Sequence, residues 1–182
     1  ADEDENETNI SWEKLSGLNG IIRALAINSN GDIFAVGNGI YQSSDNGANW
    51  TLLGLSNDFI YSIAINSNNH IFVATDGNGV YRSTDNGNNW LQINNGITNL
   101  KVYSIDINSS GHIYLGNDTW GPGQGGVYRS TDNGDNWISS GMLNYSINTL
   151  RISPNDHIFV DDVHRSTDNG STWDEISQGM TN

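Results

Sequence analysis

The sequence contains no cysteine, two prolines, two methionines and seven basic residues among its 182 residues. Without cysteine the chain has neither disulfides nor thiolate metal sites, an absence that fits either side of a membrane. The seven basic residues stand against 21 acidic ones and leave a formal net charge of -14. Because nucleic acids and anionic membrane surfaces attract basic faces, we expect neither as a partner.

Long apolar runs are also missing from the sequence. No stretch reaches the roughly 18 apolar residues that a membrane-spanning helix needs, so membrane insertion is not expected. No signal peptide is visible, but residues 1–10 form an acidic tail of the kind that remains once a signal peptide has been removed. Together with the acidic, Asn-rich composition, this tail predicts an exported protein, located outside the cell, at its surface or in the periplasm.

One eight-residue segment occurs four times with little variation. Its Asn-Gly pair tolerates the positive φ angles of a tight hairpin, and its aspartate can accept hydrogen bonds from turn amides. The repeated aspartate, glycine and tryptophan are Asp45, Gly47 and Trp50, then Asp85, Gly87 and Trp90, then Asp132, Gly134 and Trp137, and finally Asp168, Gly170 and Trp173. An active site rarely needs four identical copies, so this regularity predicts a structural role.

Alternating apolar residues before each hairpin predict further strands. The predicted first strands are Ile22–Ile27, Ile60–Ile65, Val102–Ile107 and Ile147–Ile152, and short second strands start at Ile33, Ile71, Ile113 and Ile158. Third strands lead into the hairpins, and each hairpin tryptophan is expected to begin a fourth strand. Four antiparallel strands in a repeat of about 40 residues are typical of a β-propeller blade, which buries its two faces against neighbouring blades.

We therefore predict an all-β fold with four four-stranded blades, numbered here as repeats 1 to 4. They cover residues 20–54, 58–94, 100–140 and 145–177. Residues 11–18, around Trp12, look like a surplus outer strand, because repeat 4 already has its own fourth strand after Trp173. The propeller region would thus cover residues 11–182. Three alternatives follow: the chain belongs to a larger propeller, another copy completes it, or the Trp12 strand caps an edge.

On these residues the sequence resembles the Asp-box, or BNR-repeat, family of β-propellers, whose hairpin pattern is Ser/Thr-x-Asp-x-Gly-x-x-Trp. All four copies keep every position, and the resemblance covers about residues 12–182. The resemblance implies hairpins between third and fourth strands, at the outer, bottom side of each blade and away from the ligand face. It specifies function less closely, because the family includes sialidases, xyloglucan hydrolases, sortilin-like receptors and photosystem assembly factors.

Two other sets of polar residues recur at aligned positions. They are His70, His112 and His157 after the first strands, and Arg82, Arg129 and Arg165 before the hairpins. Aligned positions in successive blades lie too far apart to share one ion, so the histidines predict turn contacts and not a metal site. The arginines sit on third strands, unlike the converging arginines of sialidases. No metal, cofactor or catalytic residue is therefore predicted.

One aligned column of the first strands is polar and aromatic where its neighbours are apolar or small. It consists of Arg23, Tyr61, Tyr103 and Asn148. First strands line the central channel of a propeller, so these side chains would either form a ring of donors and stacking faces at the channel mouth or simply fill the channel. In a second column Asp106 and Arg151 fall on adjacent repeats, where an ion pair is expected.

The loop between the second and third strands of repeat 3 is the longest of its kind, spanning residues 116–126. It contains Trp120, the one tryptophan of six outside the repeated pattern, together with Asp118 and Gln124. Long loops on a rigid scaffold often carry function. The exposed aromatic would stack on a sugar or enter a partner's pocket; the alternative is a loop that folds back on its own blade.

Two functions remain open from the sequence. The first is a non-catalytic, exported propeller that binds protein or glycan, or associates with itself through an open sheet edge. The second is a fragment of a sialidase- or xyloglucanase-like glycoside hydrolase, which requires a pair of carboxylates in reach of one bond. Asp118 with Asp76 or Asp161 is the only pair of top-face loop acids that suits this chemistry.

Overall fold

The computed structural model describes residues 17–18, 20–120, 125–161 and 164–176, which form fourteen β-strands and no helix. The acidic tail over residues 1–10, the outer strand expected around Trp12 and the site residue Gln124 lie outside the described residues. The described part of the chain contains no helix of the length and apolar character that a membrane span requires.

The strands follow each other as antiparallel neighbours in chain order. They are β1 Ile22–Ile27, β2 Ile33–Ser43, β3 Thr51–Ile65, β4 Ile71–Thr75, β5 Val80–Ser83, β6 Leu91–Gln92, β7 Val102–Ile107, β8 Ile113–Asn117, β9 Gly126–Ser130, β10 Ile138–Ser139, β11 Leu150–Ile152, β12 Ile158–Val160, β13 His164–Ser166 and β14 Asp174–Glu175. Strands β1 to β6 form a six-stranded sheet, and β7 to β10 and β11 to β14 form two four-stranded sheets. The predicted all-β class is confirmed.

The six-stranded sheet joins repeats 1 and 2 because two of its strands are long. Strand β2 continues from the second into the third strand of repeat 1, and β3 runs from the fourth strand of repeat 1 into the first strand of repeat 2. The register of the first two strands is the same in every repeat: Ile27 pairs with Ile33, Ile65 with Ile71, Ile107 with Ile113 and Ile152 with Ile158.

The predicted starts of the four fourth strands and of one first strand were wrong, and hydrogen bonds show the reason in repeats 3 and 4. The fourth strands begin one residue after each tryptophan; in repeat 3, the Trp137 N–H donates to Asn95 O of the preceding repeat at 2.9 Å instead of joining its own ladder. The first strand of repeat 4 begins at Leu150, not Ile147, because the Asn148 and Thr149 amides donate to the Asp161 carboxylate.

The four hairpins share one network of hydrogen bonds, illustrated by repeat 2. Ser83 Oγ accepts from Gly87 N at 2.8 Å and donates to Asp85 Oδ1, which also accepts from Asn89 N, while Asp85 Oδ2 accepts from the Asn89 side chain. Asn86 holds the positive φ of 60° that the turn needs. Hydrogen bonds to the Asn89 side chain and backbone lower the pKa of Asp85, so this acid serves the turn and is not free for chemistry.

The core lies between successive repeats and consists of three clusters. Phe34 and Ile40 pack on Ile63 and Ile71 between repeats 1 and 2. The next cluster joins Phe72 to Ile105, Ile113 and Trp137, and the last joins Tyr114 to Leu150 and Ile158. Strands β1, β3, β7 and β11 therefore lie side by side in one row. Because each face packs on the next repeat, stability requires neighbours at both faces.

Candidate binding surface

The inner strands β1, β3 and β7 carry a row of polar and aromatic side chains. The Arg23 guanidinium lies 5.1 Å from the centre of the Tyr61 ring, and the Tyr61 and Tyr103 rings meet edge to face with centres 5.0 Å apart. The Tyr103 hydroxyl donates to Asp118 Oδ2 at 2.8 Å. Three members of the predicted column therefore contact one another in series, and the third reaches the long loop of repeat 3.

The fourth member of the column, Asn148, lines the same depression as Tyr103 and Asp118. Its backbone amide donates to both carboxylate oxygens of Asp161 at 3.0 Å. The Asp161 carboxylate is therefore bound to backbone amides of its own repeat. Of the two acids considered as partners for Asp118, Asp161 thus caps a strand instead of facing Asp118.

The other acid, Asp76, does approach Asp118, because both bind the same lysine. The Lys101 ammonium lies 3.7 Å from Asp76 Oδ1 and 3.5 Å from Asp118 Oδ2, and 5.4 Å from the centre of the Tyr103 ring. A backbone bridge between Asp76 and Lys101 places the lysine there. Sequence reasoning missed Lys101, although it is one of only two lysines in the chain and directly precedes a first strand.

Asp118 organises the backbone of the long loop. Its side chain is 4% exposed and accepts hydrogen bonds from Tyr103, from the Ser146 hydroxyl and from Trp120 N. Burial raises the pKa of the Asp118 carboxyl, but the hydrogen bonds from Ser146 and Tyr103 and from the loop amides outweigh it and lower the pKa to about 2. Asp118 is therefore a charged, fixed acceptor at neutral pH.

Trp120 has a fixed backbone and an exposed side chain. Its N–H donates to Asp118 Oδ1 at 3.1 Å, and its carbonyl accepts from Asn99 Nδ2 at 3.2 Å. The same Asn99 amide also donates to the Asp118 carbonyl at 2.8 Å. In contrast, the Trp120 residue as a whole is 82% exposed, the highest value among the exposed large apolar residues of the described chain. Trp120 therefore does not fold back on its own blade in this structure.

Two shallow depressions meet at Trp120 and Lys101. One is lined by Gly77, Thr98, Asn99 and Leu100, and the other by Tyr103, Asp118, Ser146 and Asn148. We call Trp120, Lys101, Tyr103, Asp118 and Asn148 the Trp120 surface. It offers a flat apolar ring beside a cation, hydroxyl and amide groups, a combination that suits a ligand with both apolar and hydrogen-bonding parts.

The other polar residues considered in the sequence lie elsewhere. Asp106 does not pair with Arg151; its carboxylate accepts from Ile152 N at 2.9 Å, and Arg151 donates to the Leu150 carbonyl. His70 Nδ1 contacts Asn133 Oδ1 at 3.2 Å, which ties a turn of repeat 2 to the hairpin of repeat 3. Within the described ranges, no three His, Cys, Asp or Glu side chains cluster as ligands for a metal ion.

No family model and no curated protein matches the chain. Among solved structures it is similar to YCF48 bound to D1 peptide, with a TM-score of 0.65 and 18% identity, over 84% of this chain and 54% of that one. It is similar to an ancestral GH74 enzyme (TM-score 0.64, 24% identity, 88% of this chain and 26% of the enzyme). It is also similar to a protein described as a gluconolactonase (TM-score 0.63, 15% identity, 79% and 58%). These are β-propeller-type proteins, and the chain has their fold.

Proposed function

We propose that the chain is a non-catalytic binding module of the Asp-box type, and that the Trp120 surface binds a segment of a partner protein. The observation that carries this proposal is the contrast between the fixed backbone of Trp120 and its 82% exposed residue surface. A backbone that is already fixed loses little further conformational entropy when a ligand covers its side chain. Tryptophan is also among the residues that most often dominate binding energy at protein interfaces.

The groups around the indole support a peptide as the ligand. Asn148 is exposed, and Lys101 lies between the two depressions, so both can bond to backbone carbonyls or side-chain acceptors of an extended segment. The two acids beside Lys101 outweigh its single positive charge, which disfavours an anionic ligand. The similar fold of YCF48, whose structure contains D1 peptide, gives a precedent for peptide binding by such a propeller.

A peptide array of random sequences, probed with the labelled chain, tests this proposal. Trp120→Ala should weaken binding to any selected peptide about tenfold or more, as expected for the loss of a central aromatic contact. Ile138→Ala is the matched control, because Ile138 is 56% exposed on the outer strand β10, where it pairs with Arg129, and it lines neither depression. Equal loss of binding in both variants, or none in Trp120→Ala, would discard the surface.

A fragment of a glycoside hydrolase is the second candidate, because Asp76 and Asp118 approach the same ammonium group. A catalytic acid needs a raised pKa in order to hold its proton, whereas the pKa of Asp118 is lowered to about 2 and its oxygens are occupied by hydrogen bonds. Assays of hydrolysis with a panel of aryl glycosides and xyloglucan oligosaccharides distinguish a hydrolase from a non-catalytic module. Hydrolysis by the wild type that is lost in Asp76→Asn would favour the hydrolase. A glycan array run beside the peptide array tests sugar binding.

Location outside the cell belongs to the same proposal and rests on the acidic, Asn-rich composition. Fractionation of the source cells with an antibody against this chain measures it directly. Detection only in the cytoplasm would contradict export and leave the binding surface untouched.

A further inference from the structure

The two ends of the row of repeats expose faces that every internal repeat buries. On the first strands, Leu25 occupies the position of Ile63, Ile105 and Leu150 in the later repeats. Leu25 is 62% exposed, whereas these three are 8%, 1% and 0% exposed. Ile27 on the same face is 64% exposed. We call Leu25 and Ile27 the leading face; in repeats 2 to 4 the equivalent face packs against the preceding repeat.

Repeat 4, at the other end of the row, exposes the face that repeats 1 to 3 bury against the following repeat. Phe34, Phe72 and Tyr114 each pack against the following repeat and are 0% exposed, but Phe159, at the equivalent position of β12, is 37% exposed. We call this side of repeat 4 the trailing face. Within the described residues, β1 and β11 at the two ends of the row do not pack along each other as neighbouring inner strands do.

Arginines at one aligned position form hydrogen bonds from repeats 2 and 3 to the hairpin of the next repeat. Arg82 Nη1 donates to Asn133 O in the hairpin of the next repeat at 2.6 Å, and Arg129 Nη1 donates to Asn169 O at 3.1 Å. Arg165 is the next arginine in this series. Its ion pair with Asp174 is long, at 3.8 Å, and the Arg165 side chain is 38% exposed against 13% for Arg82, so it is available for a carbonyl of a following hairpin.

The hairpin tryptophans of repeats 3 and 4 form hydrogen bonds in the opposite direction, to the preceding repeat. Trp137 Nε1 donates to Ile93 O and Trp173 Nε1 to Ser140 O, each in the preceding repeat. Trp50 in repeat 1 donates instead to Gly47 O of its own hairpin at 3.0 Å. On the hairpin of repeat 1, Gly17 takes the place that Gly96 and Gly141 take on Trp137 and Trp173, so the part of repeat 1 that stays open is the leading face.

We propose that the trailing face of one copy of this chain binds the leading face of a second copy, head to tail. Phe159 would pack against Leu25 and Ile27 as Tyr114 packs in one cluster with Leu150 and Ile152, and Arg165 would donate to Asn46 O of the second copy. Two copies supply eight four-stranded repeats, within the range of about four to eight blades in closed propellers. Head-to-tail contacts close into a ring when the rotation permits and otherwise build open chains.

Sedimentation and light scattering of the full chain test this pairing, in about 0.3 M NaCl so that repulsion between two acidic copies is screened. The wild type should form a dimer or larger assembly. Leu25→Asp or Phe159→Asp should each weaken association by about tenfold or more, because a desolvated charge enters the apolar contact. Ile138→Asp is the matched control, since it adds the same charge at an exposed site on β10, and it should associate as the wild type does.

Mixing the two variants separates a head-to-tail contact from any other. A solution of Leu25→Asp with Phe159→Asp should contain dimers that neither variant forms alone, because one intact leading face meets one intact trailing face. Near-ultraviolet circular dichroism should match the wild type in both. A wild type that stays monomeric at all concentrations, or a mixture that stays monomeric, would overturn the proposal. Peptide binding by the Trp120 surface should persist in both variants, so the two proposals fail independently.

Discussion

Replacing Asp118 by asparagine should destabilise the protein in a way that depends on pH. The carboxylate lies at the centre of the Trp120 surface, is 4% exposed, and accepts from the Tyr103 and Ser146 hydroxyls and from the Trp120 amide. Its pKa falls from the ordinary 3.8 to about 2 in the folded protein. At about 1.4 kcal/mol per pKa unit, ionisation of Asp118 contributes about 2 kcal/mol to the free energy of unfolding at neutral pH.

The sign of the pH dependence follows from the lowered pKa. A carboxyl with a folded-state pKa below its unfolded value stabilises the protein fully above the unfolded pKa, near 4, and loses this contribution as the pH falls toward 2. About half of it should remain at pH 3. Asparagine carries no charge at either pH, so the difference in unfolding free energy between wild type and Asp118→Asn should shrink on acidification.

Urea unfolding followed by tryptophan fluorescence at pH 7 and pH 3 measures this difference. Asp118→Asn should lower the free energy of unfolding by about 2 kcal/mol at pH 7 and by about 1 kcal/mol at pH 3. Asp174→Asn is the control: its carboxylate is 71% exposed, and its removal should change stability by less than about 0.5 kcal/mol. A loss for Asp118→Asn that is the same at both pH values would refute the role assigned to its charge.

Further predictions concern the core and the turns, and each is checked by urea unfolding at low protein concentration. Phe72→Ala should cost about 3–5 kcal/mol, because Phe72 is fully buried between repeats, whereas Phe159→Ala at the open end should cost far less. Gly96→Ala should destabilise strongly, because a Cβ there would lie 2.1 Å from the backbone oxygen of Trp137 and φ is +96°. Gly111→Ala, with φ of +79° and nothing within 4 Å of a Cβ, should show only the backbone cost of about 1 kcal/mol.

The strand order and the hairpins could be predicted because their determinants are local. Asn-Gly pairs specify hairpins, and period-two apolar residues specify strands, wherever they occur. The start of β11 could not be predicted, because the amides of Asn148 and Thr149 bind a carboxylate thirteen and twelve residues away along the chain. A pattern of apolar residues contains no information about such competition for backbone donors.

The Trp120 surface was predicted only in part, since its members come from different repeats. The column from Arg23 to Asn148 and the loop with Asp118 and Trp120 stand out in an alignment of the repeats. Lys101 does not, because its role depends on two acids that the fold brings to it, Asp76 from repeat 2 and Asp118 from the loop of its own repeat. Long-range pairs of this kind require the packing of the sheets before they can be identified.

The hairpin network has a consequence for the chemical ageing of the protein. Asn-Gly is the dipeptide most prone to deamidation, which begins when the glycine nitrogen attacks the asparagine side chain. In all four hairpins this nitrogen donates to a serine hydroxyl at 2.8 Å, and in repeats 1 and 2 these are Ser43 and Ser83. The amide that would attack is thereby held in place. We expect peptide mapping after long storage to find these asparagines intact in the folded protein and converted to aspartate or isoaspartate once it is unfolded.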